Sequence, residues 1–174
     1  VCWRRCTNAR RAVAAWSWLD QRPADAFYEQ ALGIRRAIYG EKHPEVLSAL
    51  SNYASTLYSL GRSADALPHY ERVLRLRGEV LGERHPATLA TVQDLAGALA
   101  ELDRKSEALP YYQRAVTTSV ETLGEKHPNT LTAMSNYAVT QWQVGRSAEA
   151  LSLLERTLKL RTEVLGDKHP STLE

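Results

Sequence analysis

A five-residue motif returns four times along this chain at one constant spacing. It reads GEKHP at 40–44, and the later copies read GERHP at 82–86, GEKHP at 124–128 and GDKHP at 166–170. The copies are 42 residues apart, and a fixed period of about 20–50 residues is the signature of a repeat architecture. The spacing predicts three full repeats at 44–85, 86–127 and 128–169, a divergent unit at 1–43, and the start of a truncated repeat at 170–174.

Each full repeat carries two apolar stripes with helical spacing. The first stripe of repeat 44–85 consists of Leu47, Leu50, Tyr53, Ala54 and Leu57, and the second of Ala66, Leu67, Tyr70, Val73, Leu74 and Val80. Spacings of three and four residues place such side chains on one helix face. We therefore predict two antiparallel helices per repeat, of roughly 16 and 18 residues, with a tight turn at Gly61 between them. Ser63 is predicted as the N-cap of the second helix.

The motif itself reads as a helix stop followed by a helix start. Gly82 suits the left-handed conformation just past a helix end, and Pro86 suits the first turn of the next helix. His85 precedes a proline, which favours extended backbone at that position. No stretch alternates as a strand would. The chain is therefore predicted to be all-α, with each helix pair burying its stripes against the next.

The motif histidines do not form a predicted metal site. Zinc ligands lie within about 2 Å of the ion, whereas equivalent atoms of stacked helices are separated by about 8–10 Å. No nucleophile, base and orienting group share a motif, and no glycine-rich phosphate loop is present. Cys2 and Cys6 are expected to be reduced thiols near a chain end. We predict no enzyme activity, no metal and no cofactor.

Charge and hydropathy argue against nucleic-acid binding and against a membrane-spanning segment. The 22 basic and 20 acidic residues leave a net charge of +2, too small to indicate a nucleic-acid partner. The longest apolar run, Ala12 to Trp16, is far shorter than the roughly 20 residues of a membrane span. A soluble, cytoplasmic protein is expected. The basic residues late in the second helices, among them Arg72, Arg75 and Arg77, are expected to be solvated.

The repeats resemble a known family. Leu-x-x-x-Tyr-Ala in the first helix and Glu-Ala-x-x-x-Tyr in the second are similar to tetratricopeptide repeats, whose usual period is 34 residues. The 42-residue period, closed by Leu-Gly-x-x-His-Pro, resembles the variant of kinesin light chains, most plainly at 62–85, RSADALPHYERVLRLRGEVLGERH. The resemblance implies a right-handed superhelical solenoid of antiparallel helix pairs whose first helices line a concave groove.

The resemblance also implies where a partner binds. In the family, asparagines at the positions of Asn52 and Asn136 contact a bound peptide, while Asp94 stands where that asparagine would be expected. Because the proposed groove positions include no lysine, a groove that selects acidic motifs is disfavoured here. The candidate peptide-binding residues are Asn52, Asn136, Asp94, Ser48, Ser55, Tyr58, Trp142, Gln143 and Trp16.

The predicted function is a protein-interaction scaffold of the light-chain cargo or adaptor type, which holds an extended peptide in its groove. Its partner would be a protein or peptide, and a kinesin heavy chain or cargo if the chain is a true light chain. The alternative is a sensor or regulatory arm of a larger protein with a nucleotide-binding ATPase domain. Stacking of exposed chain ends would give self-association. Whether residues 1–21 are repeat, capping helix or targeting segment stays open.

Overall fold

The structure is a computed structural model that describes residues 25–166, and every described element is a helix. The predicted groove residue Trp16, both cysteines and the truncated repeat at 170–174 lie outside these residues. The helices are α1 (25–39), α2 (Pro44–Ser59), α3 (Ser63–Leu81), α4 (Pro86–Glu101), α5 (Lys105–Leu123), α6 (Pro128–Gln143) and α7 (Ser147–Leu165). Among the described helices, none is long and apolar enough to cross a bilayer.

The chain divides into two compact units, Val1–Ala49 and Leu50–Glu174. In the described part of the first unit, Leu32, Val46 and Leu47 are each 1% exposed and form its interior. The ring of Tyr39 at the end of α1 stacks on the His43 imidazole, with ring centroids 4.9 Å apart. This stacking packs the end of α1 against the motif that starts α2.

In the second unit, each helix packs against the next one along the chain, from α3 through α7. Contacts between sequence neighbours are what a stacked repeat array requires. Val92 of α4, Ala115 of α5 and Ala133 of α6 form one fully buried cluster across three successive helices. The small alanines allow the helix backbones to approach, so the predicted all-α stacking is what the chain adopts.

The apolar stripes are buried largely as predicted. Leu50, Ala54 and Leu57 of α2 are at most 1% exposed, and burial of a leucine side chain is worth about 1.5–3 kcal/mol. The full first helices contain 16 residues and the second helices 19. Val80 was predicted in the second stripe, but its side chain is 41% exposed because it lies in the last turn of α3. The prediction for Val80 was wrong.

Within 25–166, the motif histidines are N-caps. His85 has extended backbone, φ −68° and ψ 137°, and its Nδ1 accepts a hydrogen bond of 3.1 Å from the Ala87 amide. The Nδ1 atoms of His127 and His43 accept equivalent bonds of 3.2 and 3.3 Å. Each imidazole therefore satisfies one of the amides that a helix start leaves without an intrahelical partner. Before each cap, the motif glycine has a positive φ, as in Gly82 at 84°.

Ser63 is not the N-cap that its position suggested. α3 begins at Ser63 itself, and its N-cap is Arg62, which makes no side-chain capping bond. Ser63 is 4% exposed, and its hydroxyl donates to the Glu101 carboxylate of α4. Arg62 instead pairs with Asp65 in the first turn, Nε to Oδ2 at 2.7 Å. Because helix packing buries Ser63, its hydroxyl forms a hydrogen bond between α3 and α4 and does not cap α3.

The charged residues inside the motif form repeated ion pairs with the second helix that follows. Glu83 pairs with Arg114, and its counterpart one period later, Glu125, lies 2.5 Å from Arg156. The neighbouring motif cations behave in the same way, with Arg84 paired to Glu121 and Lys126 to Glu163. The motif therefore joins its loop to the next helix pair as well as ending one helix and starting another.

Candidate functional site

Three of the predicted peptide-binding residues are polar side chains on successive first helices. Asn52 on α2, Asp94 on α4 and Asn136 on α6 occupy the same position of the 42-residue period, and all three are exposed. No side-chain hydrogen bond joins any of them to another residue within 25–166. We call these three residues the polar column. Its two amides and one carboxylate are available to a ligand.

A depression lies beside one member of the column, between α6 and α7. It has a volume of about 660 Å³, and its wall includes Asn136 and Val139 of α6 together with Leu151, Leu154 and Leu158 of α7. The three leucines are 59%, 37% and 52% exposed. A polar amide at the edge of an apolar depression is the usual composition of a ligand site, in which a few polar groups orient the ligand.

Two aromatic candidates differ in their environment. Trp142 on α6 is 63% exposed, and Gln143 beside it is exposed as well. Tyr58 on α2 is half-buried, and burial raises the pKa of its phenol, as do the nearby Glu101 and Asp94 carboxylates. Exposed tryptophan and ordered tyrosine side chains are the residue types that anchor protein partners most often.

The two serine candidates have different surroundings. Ser48 lies in the first compact unit and is exposed there. Ser55 is half-buried; its hydroxyl donates to the Ser51 carbonyl at 3.0 Å and accepts from the Tyr70 hydroxyl at 3.2 Å. Because both bonds are internal, Ser55 contributes to the order of the groove wall more than to hydrogen bonding with a ligand.

Asp94 is the electrostatic centre of the column. Water reaches its side chain, but protein surrounds enough of it that burial raises the pKa of the carboxyl, an effect that the Arg77 cation opposes. The same carboxylate acts on Tyr112 of α5, whose pKa is raised to about 12 by burial and then by Tyr58 and Asp94. Asp94 therefore places a negative charge near Tyr58 and Tyr112.

Arg77 departs from its prediction. It was expected to be solvated, but it is 8% exposed. Its Nη1 donates to the Thr91 hydroxyl at 2.6 Å and to the Ala87 carbonyl at 3.0 Å. Burial lowers the pKa of Arg77, and Asp94 opposes that change. The spacing could have revealed this position, because Arg77 follows Tyr70 and Val73 at i+7 and i+4 on the apolar stripe.

The chemistry of this face is hydrogen bonding, aromatic contact and charge. Within 25–166, no group of three histidine, cysteine, aspartate or glutamate side chains is arranged to hold a metal ion. Sequence reasoning identified the exposed residues of the face but missed the roles of Arg77, Tyr70 and Tyr112. Those three side chains are buried on the second helices, and they contact residues of the first helices only because the helices pack against one another.

Comparison with known proteins places the chain among helical repeat proteins. The family model described as Tetratricopeptide repeat matches residues 24–79, 45–119 and 88–163. Among curated proteins, none matches the chain.

Solved structures agree with this placement. A candidate kinesin light chain from Podosopora anserina, with nearly identical TPR-like repeats, superposes with a TM-score of 0.76 at 25% identity, covering 97% of this chain and 81% of that one. A point variant of the same protein gives 0.78 at 25% identity, with coverages of 97% and 80%. BtubC (BKLC) from P. vanneervenii gives 0.72 at 22% identity, covering 89% of this chain and 59% of that one. These likenesses support the fold of stacked helix pairs.

Proposed function

Because the chain belongs to the tetratricopeptide repeat family, whose members are protein-interaction scaffolds, we propose that it binds an extended peptide segment of a partner protein along the first helices. The observation that carries the proposal is the polar column. The Asn52 and Asn136 amides stand at one position of the repeat, are exposed, and make no side-chain hydrogen bond within 25–166. An amide offers both a donor and acceptors, so it can pair with peptide backbone whatever the ligand's side chains.

The surroundings of the column suit such a ligand. Trp142, 63% exposed, provides a rigid aromatic surface, and the depression lined by Leu151 and Leu158 accepts an apolar side chain next to Asn136. Backbone pairing with side-chain pockets alongside is how extended peptides are recognised.

The structural relatives support one kind of adaptor. The Podosopora anserina structure is named for kinesin light chains, so we propose a cargo or adaptor role of that type, with a cargo protein or a kinesin heavy chain as partner. The alternative is a regulatory arm of a larger protein with an ATPase domain. No residue within 25–166 supports that role specifically, so we favour peptide binding.

The test is a double substitution of the column amides. Peptides would be selected from a phage-displayed random library on the immobilised 174-residue chain, and their Kd measured by fluorescence anisotropy. Asn52→Ala with Asn136→Ala should weaken binding about 30-fold, because two hydrogen bonds of about 1 kcal/mol each are lost.

A matched control removes two polar side chains outside the groove. Gln113→Ala with Asn129→Ala changes exposed residues of α5 and α6 that do not line the depression. The control should leave the Kd unchanged, and circular dichroism should show all proteins folded. Equal Kd values for the column variant and the wild-type chain would contradict the proposal.

A further inference from the structure

One residue of the face has no side chain. Gly97 lies on α4 one turn after Asp94, at the position that holds Ser55 and Val139 in the neighbouring repeats. A Cβ built on Gly97 would lie 3.6 Å from the Tyr58 hydroxyl and 3.7 Å from the Tyr112 hydroxyl. Two phenol groups, one from α2 and one from α5, therefore converge over a bare stretch of helix backbone.

The polar side-chain atoms around this gap make no hydrogen bonds in the described part of the chain. Tyr112 is 6% exposed, yet its hydroxyl makes no hydrogen bond with any residue of 25–166. The same holds for the Tyr58 hydroxyl and the Asp94 carboxylate. Asp94 is exposed and Tyr58 is half-buried, so these polar groups lie at a surface where a ligand can form hydrogen bonds with them.

The charge at this site is negative. The Asp94 carboxylate is close enough to affect the pKa of Tyr58, Tyr70 and Tyr112. Glu101, which accepts a hydrogen bond from Ser63, adds a second negative charge near Tyr58. An anionic ligand group would be repelled, while a cation is attracted both to a carboxylate and to the faces of aromatic rings.

The neighbouring Arg77 is not the cation that occupies this gap. Its Nη1 is used by Thr91, by the Ala87 carbonyl and by Ser51. It makes no ion pair with Asp94 within the described residues, and with 8% exposure it is out of reach of a ligand's carboxylate. Burial raises the pKa of Asp94 and the charge of Arg77 opposes that rise, but the Arg77 side chain makes its hydrogen bonds elsewhere.

We propose that Asp94, Tyr58 and Tyr112 form a pocket for one lysine or arginine side chain of the bound peptide, which makes the groove selective for basic segments. The ammonium or guanidinium group donates to the Asp94 carboxylate and to the phenol oxygens, all of which can accept. Gly97 leaves room for the side chain to approach the helix. The inference rests on the proposed peptide-binding function, and it names the charge of the ligand.

The experiment uses bead-bound libraries of acetylated 12-residue peptides, each with one position fixed as Lys, Arg, Gln or Glu. The wild-type chain should retain the Lys and Arg libraries about tenfold better than the Gln library at one position, since a charge-assisted hydrogen bond is strong. Asp94→Asn should bring this ratio close to one while still capturing peptides. The preference should also weaken as NaCl is raised.

Glu71→Gln is the matched control, because it removes one negative charge from an exposed position of α3 that affects none of the groove tyrosines. It should keep the wild-type preference. Tyr112→Phe, which keeps the ring, should reduce the preference by a smaller factor than Asp94→Asn.

The outcomes separate the two proposals. Peptide capture without a preference for Lys or Arg, or a preference that persists in Asp94→Asn, overturns the basic pocket and leaves the peptide groove standing. Capture of no library by the folded wild-type chain overturns both.

Discussion

At the residue scale, the repeated histidine has a structural role. Nδ1 of His43, His85 and His127 accepts the amide proton two residues later, each time before a proline that starts a helix. A side-chain acceptor at this place stabilises a helix because the first amides have no intrahelical partner. The following proline removes one donor and fixes φ, so the two residues together start the helix.

Replacing this cap should lower stability by a predictable amount. His85→Ala removes the acceptor for the Ala87 amide and should lower the free energy of unfolding by about 1 kcal/mol, measured by urea denaturation. His85→Asn restores an acceptor and should recover most of the loss. Equal losses in the two variants would show that the imidazole acts by packing and not as a cap.

Asp94 should make the protein less stable as the pH rises. In the folded protein the pKa of the Asp94 carboxyl is raised above its ordinary value of 3.8. At a pH between the unfolded and the folded pKa, the folded state therefore binds a proton that the unfolded state has lost. Stability is therefore fully present below the unfolded pKa and falls as the pH rises through the folded pKa. Asp94→Asn should melt at a higher temperature than the wild-type chain at pH 7.

The comparison requires thermal melts of both proteins from pH 3.5 to pH 7. The difference in Tm should grow across the lower part of this range and then stay constant. A difference that is independent of pH would mean that the gain comes from the amide's contacts and not from removal of a desolvated charge.

At the element scale, the motif loops are attached to the second helices by ion pairs one period apart. Glu83 with Arg114 and Glu125 with Arg156 occupy equivalent places. Such pairs are exposed, and each contributes little by itself. They join each motif loop to the second helix that follows it.

A double-mutant cycle on Glu125 and Arg156 should give a small coupling. The arginine side chain is 64% exposed and the glutamate 30%, so screening by solvent limits the coupling energy to about 0.5 kcal/mol. The single substitutions Glu125→Gln and Arg156→Gln and the double variant would be compared by urea denaturation. The coupling should decrease in 0.5 M NaCl, and a coupling that salt does not change would contradict a surface ion pair.

At the scale of the whole molecule, α7 presents an apolar surface that resembles a buried one in the preceding repeat. Leu151, Leu154 and Leu158 are 59%, 37% and 52% exposed. One period earlier, the corresponding Leu109 and Val116 are half-buried and Tyr112 is buried, because α6 packs on α5. The α7 wall of the depression next to Asn136 is therefore also a surface onto which another helix of this type would stack, and the two contacts would compete.

We therefore expect this 174-residue chain to self-associate at high concentration. Leu151→Glu with Leu158→Glu should lower the mass measured by light scattering at several hundred micromolar, because two charges would enter the contact. Val120→Glu changes a 39% exposed residue of α5 and serves as the control. A mass that stays monomeric at every concentration in the wild-type chain would contradict the expectation.

The 42-residue period determined most of the architecture without any coordinates. Hydrophobic spacing and the Gly and His-Pro signals are local, so they predicted the helices, their lengths within a residue or so, and the exposure of Asn52, Asp94 and Asn136. The division into repeat units at 44, 86 and 128 stays a prediction of the sequence. Ser63 and Val80 were misjudged because propensity at a helix end does not reveal which way packing turns a side chain.

Tertiary structure alone decided how the helices combine their residues. Tyr58 on α2 and Tyr112 on α5 are 54 positions apart in the sequence, yet their hydroxyls lie 3.6 and 3.7 Å from a Cβ built on Gly97. The spacing of apolar residues shows which face of each helix is buried. Which side chains of different helices then come into contact depends on how one helix pair packs on the next. For this reason the exposure of Asn52, Asp94 and Asn136 could be predicted, while the contacts of Arg77 with α4 and the convergence of Tyr58 and Tyr112 at Gly97 could not.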